Sequence, residues 1–359
     1  MVAVETLAQL VPGPAATGRT VGHANNNVDL TRYRGRLYLA WRTAPSHFAS
    51  ADARIEVSSA PDVGGPWRFE ATVSVGADLR EPRLVATDDA LHLFTMELGT
   101  DPKRFQPRRT LHLHSGGDAH WSDVRTAIDE PIVPWRIRRF DGRWAMFCYR
   151  GAERMYGPRP APPTVEVRWS DDLEHWGPAV DLHRGGTELE MIRLADGRLV
   201  GVTRIEGPGT YGSDVLLGES AGESFGELRA VHDRRKFDSP NLIDWGGEPW
   251  MFARRSVPFG GRYEWAPRWV PGSVAIRLNQ ARWSITRKRS AMWRIDPDNG
   301  VVRWMGDLPS CGDTSFAAVS TEPDGSLLVA DYSSPLDGDP IWVRGQLRPT
   351  VINLFRVSR

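Results

Sequence analysis

Two cysteines, Cys148 and Cys311, are all that this chain of 359 residues carries. They are too few for a disulfide framework, and neither lies in a C-x-x-C or other metal-ligand spacing. An excess of one charge is also missing. Lys+Arg and Asp+Glu both total 45, so no net field gathers nucleic acid or an anionic membrane. No run approaches the roughly 18–20 apolar residues of a membrane helix. The start, "MVAVETLAQLVPGPAATGRT", has neither the basic opening nor the apolar core of a secretory signal. The expected location is the cytoplasm, without a membrane or nucleic-acid partner.

What is present points to a large core and to repetition. The 40% hydrophobic share is that of an ordinary globular chain. The 15 tryptophans outnumber the 12 phenylalanines. That excess suits one Trp per repeat, or a carbohydrate site where indole faces stack on sugars.

A repeat emerges when the chain is aligned on a tight turn. The series reads "NNNVDLTRYRGRLYLAWR" (25–42), "REPRLVATDDALHLFTM" (80–96), "IVPWRIRRFDGRWAMFCYR" (132–150), "TELEMIRLADGRLVGVTR" (187–204), "DSPNLIDWGGEPWMFAR" (238–254) and "DTSFAAVSTEPDGSLLVADY" (313–332). The turn positions are Gly35, Asp89, Gly142, Gly197, Gly247 and Gly325. They recur at roughly fifty residues until the last, longer interval. Each unit then continues with an alternating strand and a turn holding a small residue, an acid and an aromatic, as in "VEVRWSDDLEHW" (165–176).

Period-2 patterns between Gly, Asp and Pro turns mark strands, and four short strands per unit make a propeller blade. The expected fold is all-β: one six-bladed β-propeller domain over 1–359. A pair of β-sandwiches would leave the regular interval unexplained. The tail "RPTVINLFRVS" (348–358) supplies a strand of the last blade, with "VETLAQLVP" (4–12) as its expected partner. No long amphipathic helix is read. The fifth interval holds a basic and aromatic insertion at about 256–289, with Arg262, Arg268, Arg277, Arg282, Arg287, Lys288 and Arg289. An insertion of this length is expected to serve as a lid, a dimer contact or a solvated flap.

Propeller geometry places the residues before the first strand and after the second strand at one mouth of the central channel. The first set is Asn25, Asn26 and Asn27; Arg80 and Glu81; Pro134; Glu188 and Glu190; Asp238 and Ser239; Asp313 and Thr314. The second is Arg42, Met96, Tyr149, Arg204, Arg254 and Tyr332. His47 follows in the loop after the first hairpin, and Asp29 lies within the first strand. Alone, each acid or arginine reads equally as a turn cap or a local ion pair. Their recurrence at one repeat position favours a substrate site. By period 2, Glu188 and Glu190 should share a face, leaving one of them for chemistry. The candidate acids have no H-x-x-x-H or D-x-D spacing among them, so neither metal nor cofactor is expected. Two carboxylates across a funnel supply acid/base chemistry for glycosidic bonds, and arginines fork a substrate carboxylate. Glu81 and Glu188, three blades apart, are expected to face each other across the axis.

These residues resemble the sialidase superfamily of six-bladed propellers. The turns "SDDLEHW", "SAPDVGGPW" and "SGGDAHW" look like degenerate Asp-boxes. "TELEMIRLADGRL" is similar to the segment carrying the glutamate that activates the catalytic tyrosine. The resemblance implies that role for Glu188, and carboxylate-binding roles for Arg204 and, more loosely, Arg254. The first-blade arginine of the family falls near Asn26, and its tyrosine near Phe316, with Tyr332 on the neighbouring strand as a substitute. "NNNVD", "REPRL" and "TELE" also resemble the acidic segments of furanosidases and arabinanases, which implies Asp29, Glu81 and Glu188.

The expected activity is a sialidase-like glycoside hydrolase acting on a sugar or glycoconjugate, including one with an anionic group. Glu188 and Glu81 form the acid/base pair, with Asp313, Asp29 and His47 as further catalytic candidates. Asn25, Asn26, Asn27, Arg42, Tyr149, Arg204, Arg254 and Tyr332 hold the substrate. Two other readings stay open: a polysaccharide lyase acting on uronic-acid-containing glycans, and a non-catalytic carbohydrate-binding propeller.

Overall fold

The glycine turns do what their spacing suggests. Gly35, Gly142, Gly197, Gly247 and Gly325 take φ values of 75°, 88°, 90°, 81° and 80°. This left-handed region is open to glycine because it lacks a Cβ. At Arg34–Gly35, Asp141–Gly142 and Gly246–Gly247 both residues are left-handed, the backbone sense that matches the twist of a two-residue hairpin. Blade 2 makes its turn without glycine, through backbone and side-chain bonds between Thr87 and Ala90.

The computed structural model describes residues 2–359 except 119, 156–160, 207–209, 220–224 and 268. Arg268 and the blade 4 turn at 220–224 therefore lie outside the described residues. Each sequence repeat forms one four-stranded antiparallel sheet, and six such sheets make a six-bladed β-propeller. The chain divides into two compact units, residues 1–131 with 309–359, and residues 132–308.

The first unit holds blades 1, 2 and 6, with inner strands Ala24–Tyr33, Asp78–Ala86 and Ser315–Thr321. In blade 6 the N-terminal strand Ala3–Val11 pairs antiparallel with Val351–Ser358, so both chain ends share one sheet, as expected. Blades 6 and 1 pack through Val28, Leu39, Trp41, Ala330 and Leu354, and blades 1 and 2 through Tyr38, Val57, Leu79 and Leu93. Each fully buried Val or Leu among them contributes about 1.5–3 kcal/mol.

The second unit holds blades 3, 4 and 5, with inner strands Val133–Phe140, Gly186–Arg193 and Asp238–Trp245. Val202, Val215, Phe237, Met251 and Trp293 form its core between blades 4 and 5. The insertion contains the 13-residue helix Gly272–Ser284, which the sequence did not reveal. Its inward face is Ala275, Ile276, Asn279 and Trp283. The polar member, Asn279, is buried because its Oδ1 accepts the N–H groups of Trp265 and Ala266 at 2.8 and 2.9 Å. A buried asparagine blurs the apolar stripe by which a helix is recognised. No helix among the described residues is long and apolar enough to cross a membrane.

Candidate functional site

Every inner strand is broken at the same place. Its pairing slips between Asn26 and Asp29, Arg80 and Arg83, Pro134 and Arg136, Thr187 and Glu190, Asp238 and Asn241, and Ser315 and Ala318. Such a bulge takes one side chain out of the alternation and re-aims it. In five blades the bulge residue is left-handed: Asn27 (φ 48°), Glu81 (55°), Glu188 (54°), Ser239 (52°) and Phe316 (59°). For a residue with a Cβ this costs on the order of 1–3 kcal/mol, and asparagine tolerates it best. Glutamate has no such local reason to be there.

The recurring second-strand residues sit opposite the approach to each break. Arg42 faces Asn26, Met96 faces Arg80, and Tyr149 faces Val133. Arg204 faces Thr187, Arg254 faces Asp238, and Tyr332 faces Ser315. The bulge also corrects one expectation. Glu188 and Glu190 do not act as a same-face pair, because the alternation is interrupted between them. Glu190 is fully buried, 2.6 Å from Arg136 Nε and 2.7 Å from Arg138 Nε. Glu188 instead meets Arg204 at 2.8 Å and accepts the Ser239 N–H at 2.8 Å.

In the first unit, Glu81 accepts from Asn27 Nδ2 and from Arg83 Nη2, both at 3.0 Å. The Arg83 guanidinium lies 5.8 Å from the centre of the Phe316 ring. Asp29 accepts the Leu84 N–H at 2.7 Å, tying blade 1 to blade 2. His47 Nδ1 is 2.6 Å from Asp313 Oδ2. The other oxygen of Asp313 accepts from Trp342 Nε1 at 3.0 Å and from the Tyr332 hydroxyl at 3.4 Å. Asp313 is fully enclosed while the His47 side chain is 18% exposed, so the buried carboxylate fixes the ring through Nδ1.

Arg42 and Asn25, expected to touch substrate, are both engaged by protein partners. Arg42 has 0% exposure. It donates to Asp78 at 2.7 Å, Asn26 Oδ1 at 3.4 Å, and the carbonyls of Ser46 and Phe48 at 3.3 and 3.0 Å. It thereby fastens the loop bearing His47. Burial first, then repulsion from Arg80, lowers its pKa to about 10 against the pull of Asp78. Asn25 donates to the carbonyls of Gly22 and Thr350 at 3.0 and 3.2 Å.

In the second unit, Arg204 Nη1 lies 2.8 Å from Glu188 and 3.4 Å from Asp238. Arg254 forks Asp238 Oδ2 at 2.6 and 3.0 Å. Lys236 pairs with Glu206 and lies 3.3 Å from Asp238. Burial of Asp238 would raise its pKa, but Lys236, Arg254 and Arg204 outweigh it and hold the carboxyl far below its usual range. Tyr149 is buried on blade 3. Among the described residues no group of three or more His, Cys, Asp or Glu is arranged to hold a metal ion.

No family model matches the chain, and no curated protein sequence does. Solved structures do. Trypanosoma rangeli sialidase in complex with sialic acid matches with a TM-score of 0.59 at 11% identity, over 94% of this chain and 54% of that one. The NanB sialidase from Streptococcus pneumoniae matches at 0.61 and 10% identity, over 98% and 70%. The fold is that of a sialidase-like propeller. Penicillium chrysogenum alpha-L-arabinanase complexed with arabinobiose matches at 0.56 and 14% identity, over 98% of both chains. The chain spans little more than half the length of the trypanosomal enzyme. At these identities the likeness is one of architecture.

Several residues that shape the propeller's polar clusters escaped the sequence reading. Asp78 and Lys236 lie two positions before Arg80 and Asp238, so extending the inner-strand alternation would have found them. Trp342 sits in the short helix Trp342–Gly345, between the second and third strands of blade 6, outside the strands on which the repeat was aligned. Lys288 is fully buried, donating to the Trp283 carbonyl and to Thr286 Oγ1, both at 2.5 Å. Burial, with the nearby Arg254 and Lys236, lowers its pKa to about 5. The unfolded chain holds that proton up to about pH 10.4. Between these values the unfolded state binds more protons, so stability rises with pH. The thermal midpoint should climb from pH 6 to pH 9, and Lys288→Met should flatten the climb. An unchanged slope in the variant contradicts the assignment.

Proposed function

We propose that the chain is a glycoside hydrolase acting on a sugar or glycoconjugate, with Glu81 and Glu188 as its reactive carboxylates. One observation carries the reading: two inner strands give a left-handed bulge position to a glutamate, each held by an arginine and a second donor. Glycosidic cleavage needs one group to protonate the leaving oxygen and another to attack the sugar or activate water. An arginine-paired carboxylate is suited to attack or to accept a proton. His47, oriented by Asp313, is proposed to handle the leaving-group proton through Nε2, and Asp29 is the further candidate. Arg204 and Arg254, with side chains 13% and 9% exposed, are proposed to take an anionic group of the substrate. Asn26, Asn27, Tyr149 and Tyr332 are assigned to substrate, whereas Arg42 and Asn25 are positioning residues. The turn in which Asp172 accepts the N–H groups of Glu174 and His175, both at 2.8 Å, is read as an Asp-box.

Sialidases and an arabinanase among the structural neighbours support a carbohydrate substrate. The test is release of reducing sugar from aryl glycosides and oligosaccharides, sialosides and arabinosides included. His47→Ala should lower kcat about 10²–10⁴-fold. A variant with wild-type kcat would take His47 out of the mechanism.

The 2.6 Å contact of His47 with Asp313 also favours a second reading. A polysaccharide lyase would use His47 to abstract the proton beside a uronate carboxylate that an arginine neutralises. Ultraviolet absorbance growing on a uronate polymer selects the lyase, whereas reducing sugar without absorbance selects hydrolysis. Glycan binding with neither product selects a non-catalytic carbohydrate-binding propeller.

A further inference from the structure

The second unit contains a cavity of about 600 Å³ that involves none of the bulge residues. It lies between the outer part of blade 4, which gives Tyr211, His232 and Arg234, and the blade 5 insertion, which gives Glu264, Pro267 and Val270. Its volume falls within the roughly 300–1,000 Å³ of small-ligand sites.

The polar groups on its wall are held but still open. Arg234 places Nε and Nη2 on a single oxygen of Glu264, at 3.2 and 2.8 Å. The two side chains are 49% and 23% exposed, so the pair faces solvent as a fixed donor–acceptor fork. His232 is anchored from behind, with Nδ1 2.8 Å from Asp214 Oδ1. Pro267 and Val270 supply an apolar wall. Next to these lining residues in the chain, Trp265 and Trp269 are 57% and 84% exposed, and the Arg282 guanidinium lies 5.2 Å from the centre of the Trp265 ring.

Donors and an acceptor beside an apolar wall, with the exposed Trp269 indole nearby, match the chemistry of a pyranose ring. Its hydroxyls both donate and accept, while its C–H face packs on aromatic or apolar surface. We propose that this cavity is an accessory site that holds one sugar unit of a glycan chain, apart from the chemistry of the bulge carboxylates. The choice of a glycan as occupant rests on the hydrolase reading; the cavity and its fork do not.

The test uses the full chain carrying Glu81→Gln and Glu188→Gln, so that no bound glycan is consumed, on an array of neutral and acidic oligosaccharides. Val270→Trp, which fills the cavity, and Arg234→Ala, which breaks the fork, are each added to that background after a thermal melt confirms folding. Binding that falls about tenfold or more in both variants supports the proposal. No binding to any glycan, or binding indifferent to both substitutions, overturns it. Turnover by the unsubstituted chain is scored separately. Cavity-dependent binding without turnover upholds the accessory site and sinks only the hydrolase reading, whereas turnover with cavity-independent binding sinks only the accessory site.

Discussion

Glu81→Gln and Glu188→Gln should each lower kcat/KM about 10²–10⁴-fold while the chain folds as before. Glutamine keeps the volume of glutamate but retains an acceptor oxygen for only one of its two donors, since each glutamate oxygen takes a different one. Those donors are Asn27 and Arg83 around Glu81, and Arg204 and the Ser239 N–H around Glu188. The substitution removes the charge and leaves one donor facing an amide N–H, so the melt separates the structural part of the effect from the chemical part. Steady-state kinetics on the best substrate of the panel, with thermal melts alongside, check the expectation. Full turnover in either variant removes that glutamate from the chemistry, and an equal fall in the melting midpoint would mean that its role is structural.

Asp238→Ala should be the most destabilising change in the second unit. Asp238 has no exposed surface and sits among Arg254, Lys236 and Arg204 at 2.6, 3.3 and 3.4 Å. Removing the anion leaves buried cations short of a partner, a loss of about 3–5 kcal/mol. Urea denaturation reads it as a lower midpoint at unchanged slope. The sign of the pH effect follows from the depressed carboxyl. Its contribution is fully present above the unfolded value of about 3.9 and is lost as pH falls toward the folded one. The parent chain should therefore lose stability below about pH 4, and the variant should lack that component. A urea midpoint equal to that of the parent chain contradicts the account.

The fold was legible because its punctuation is chemical. Gly35, Gly142, Gly197, Gly247 and Gly325 each supply a positive φ, so the glycine that a reader aligns is the glycine that the hairpin requires. The same alignment found the second-strand positions, since a two-residue turn fixes the register that sets Arg42 opposite Asn26 and Arg254 opposite Asp238. The bulges were not legible. Asn27, Glu81, Glu188, Ser239 and Phe316 share a backbone conformation but no side-chain chemistry, so nothing in the residue types marks it. That is why Glu188 and Glu190 read as one face and proved to have separate partners. Burial was equally hidden. Arg42 and Arg254 occupy the same repeat position, yet Arg42 spends its donors on Asp78 and on the carbonyls of its own loop, which no local pattern announces. The helix at 272–284 was missed because a buried asparagine occupies its inward face.

The proposed chemistry requires the bulge carboxylates to touch the substrate. A crystal structure of the Glu81→Gln variant soaked with its best oligosaccharide tests this directly. The account predicts a sugar whose anomeric carbon lies within reach of residue 81, with His47 Nε2 directed at the leaving oxygen. A sugar bound elsewhere, with residues 81 and 188 touching only protein, would contradict it.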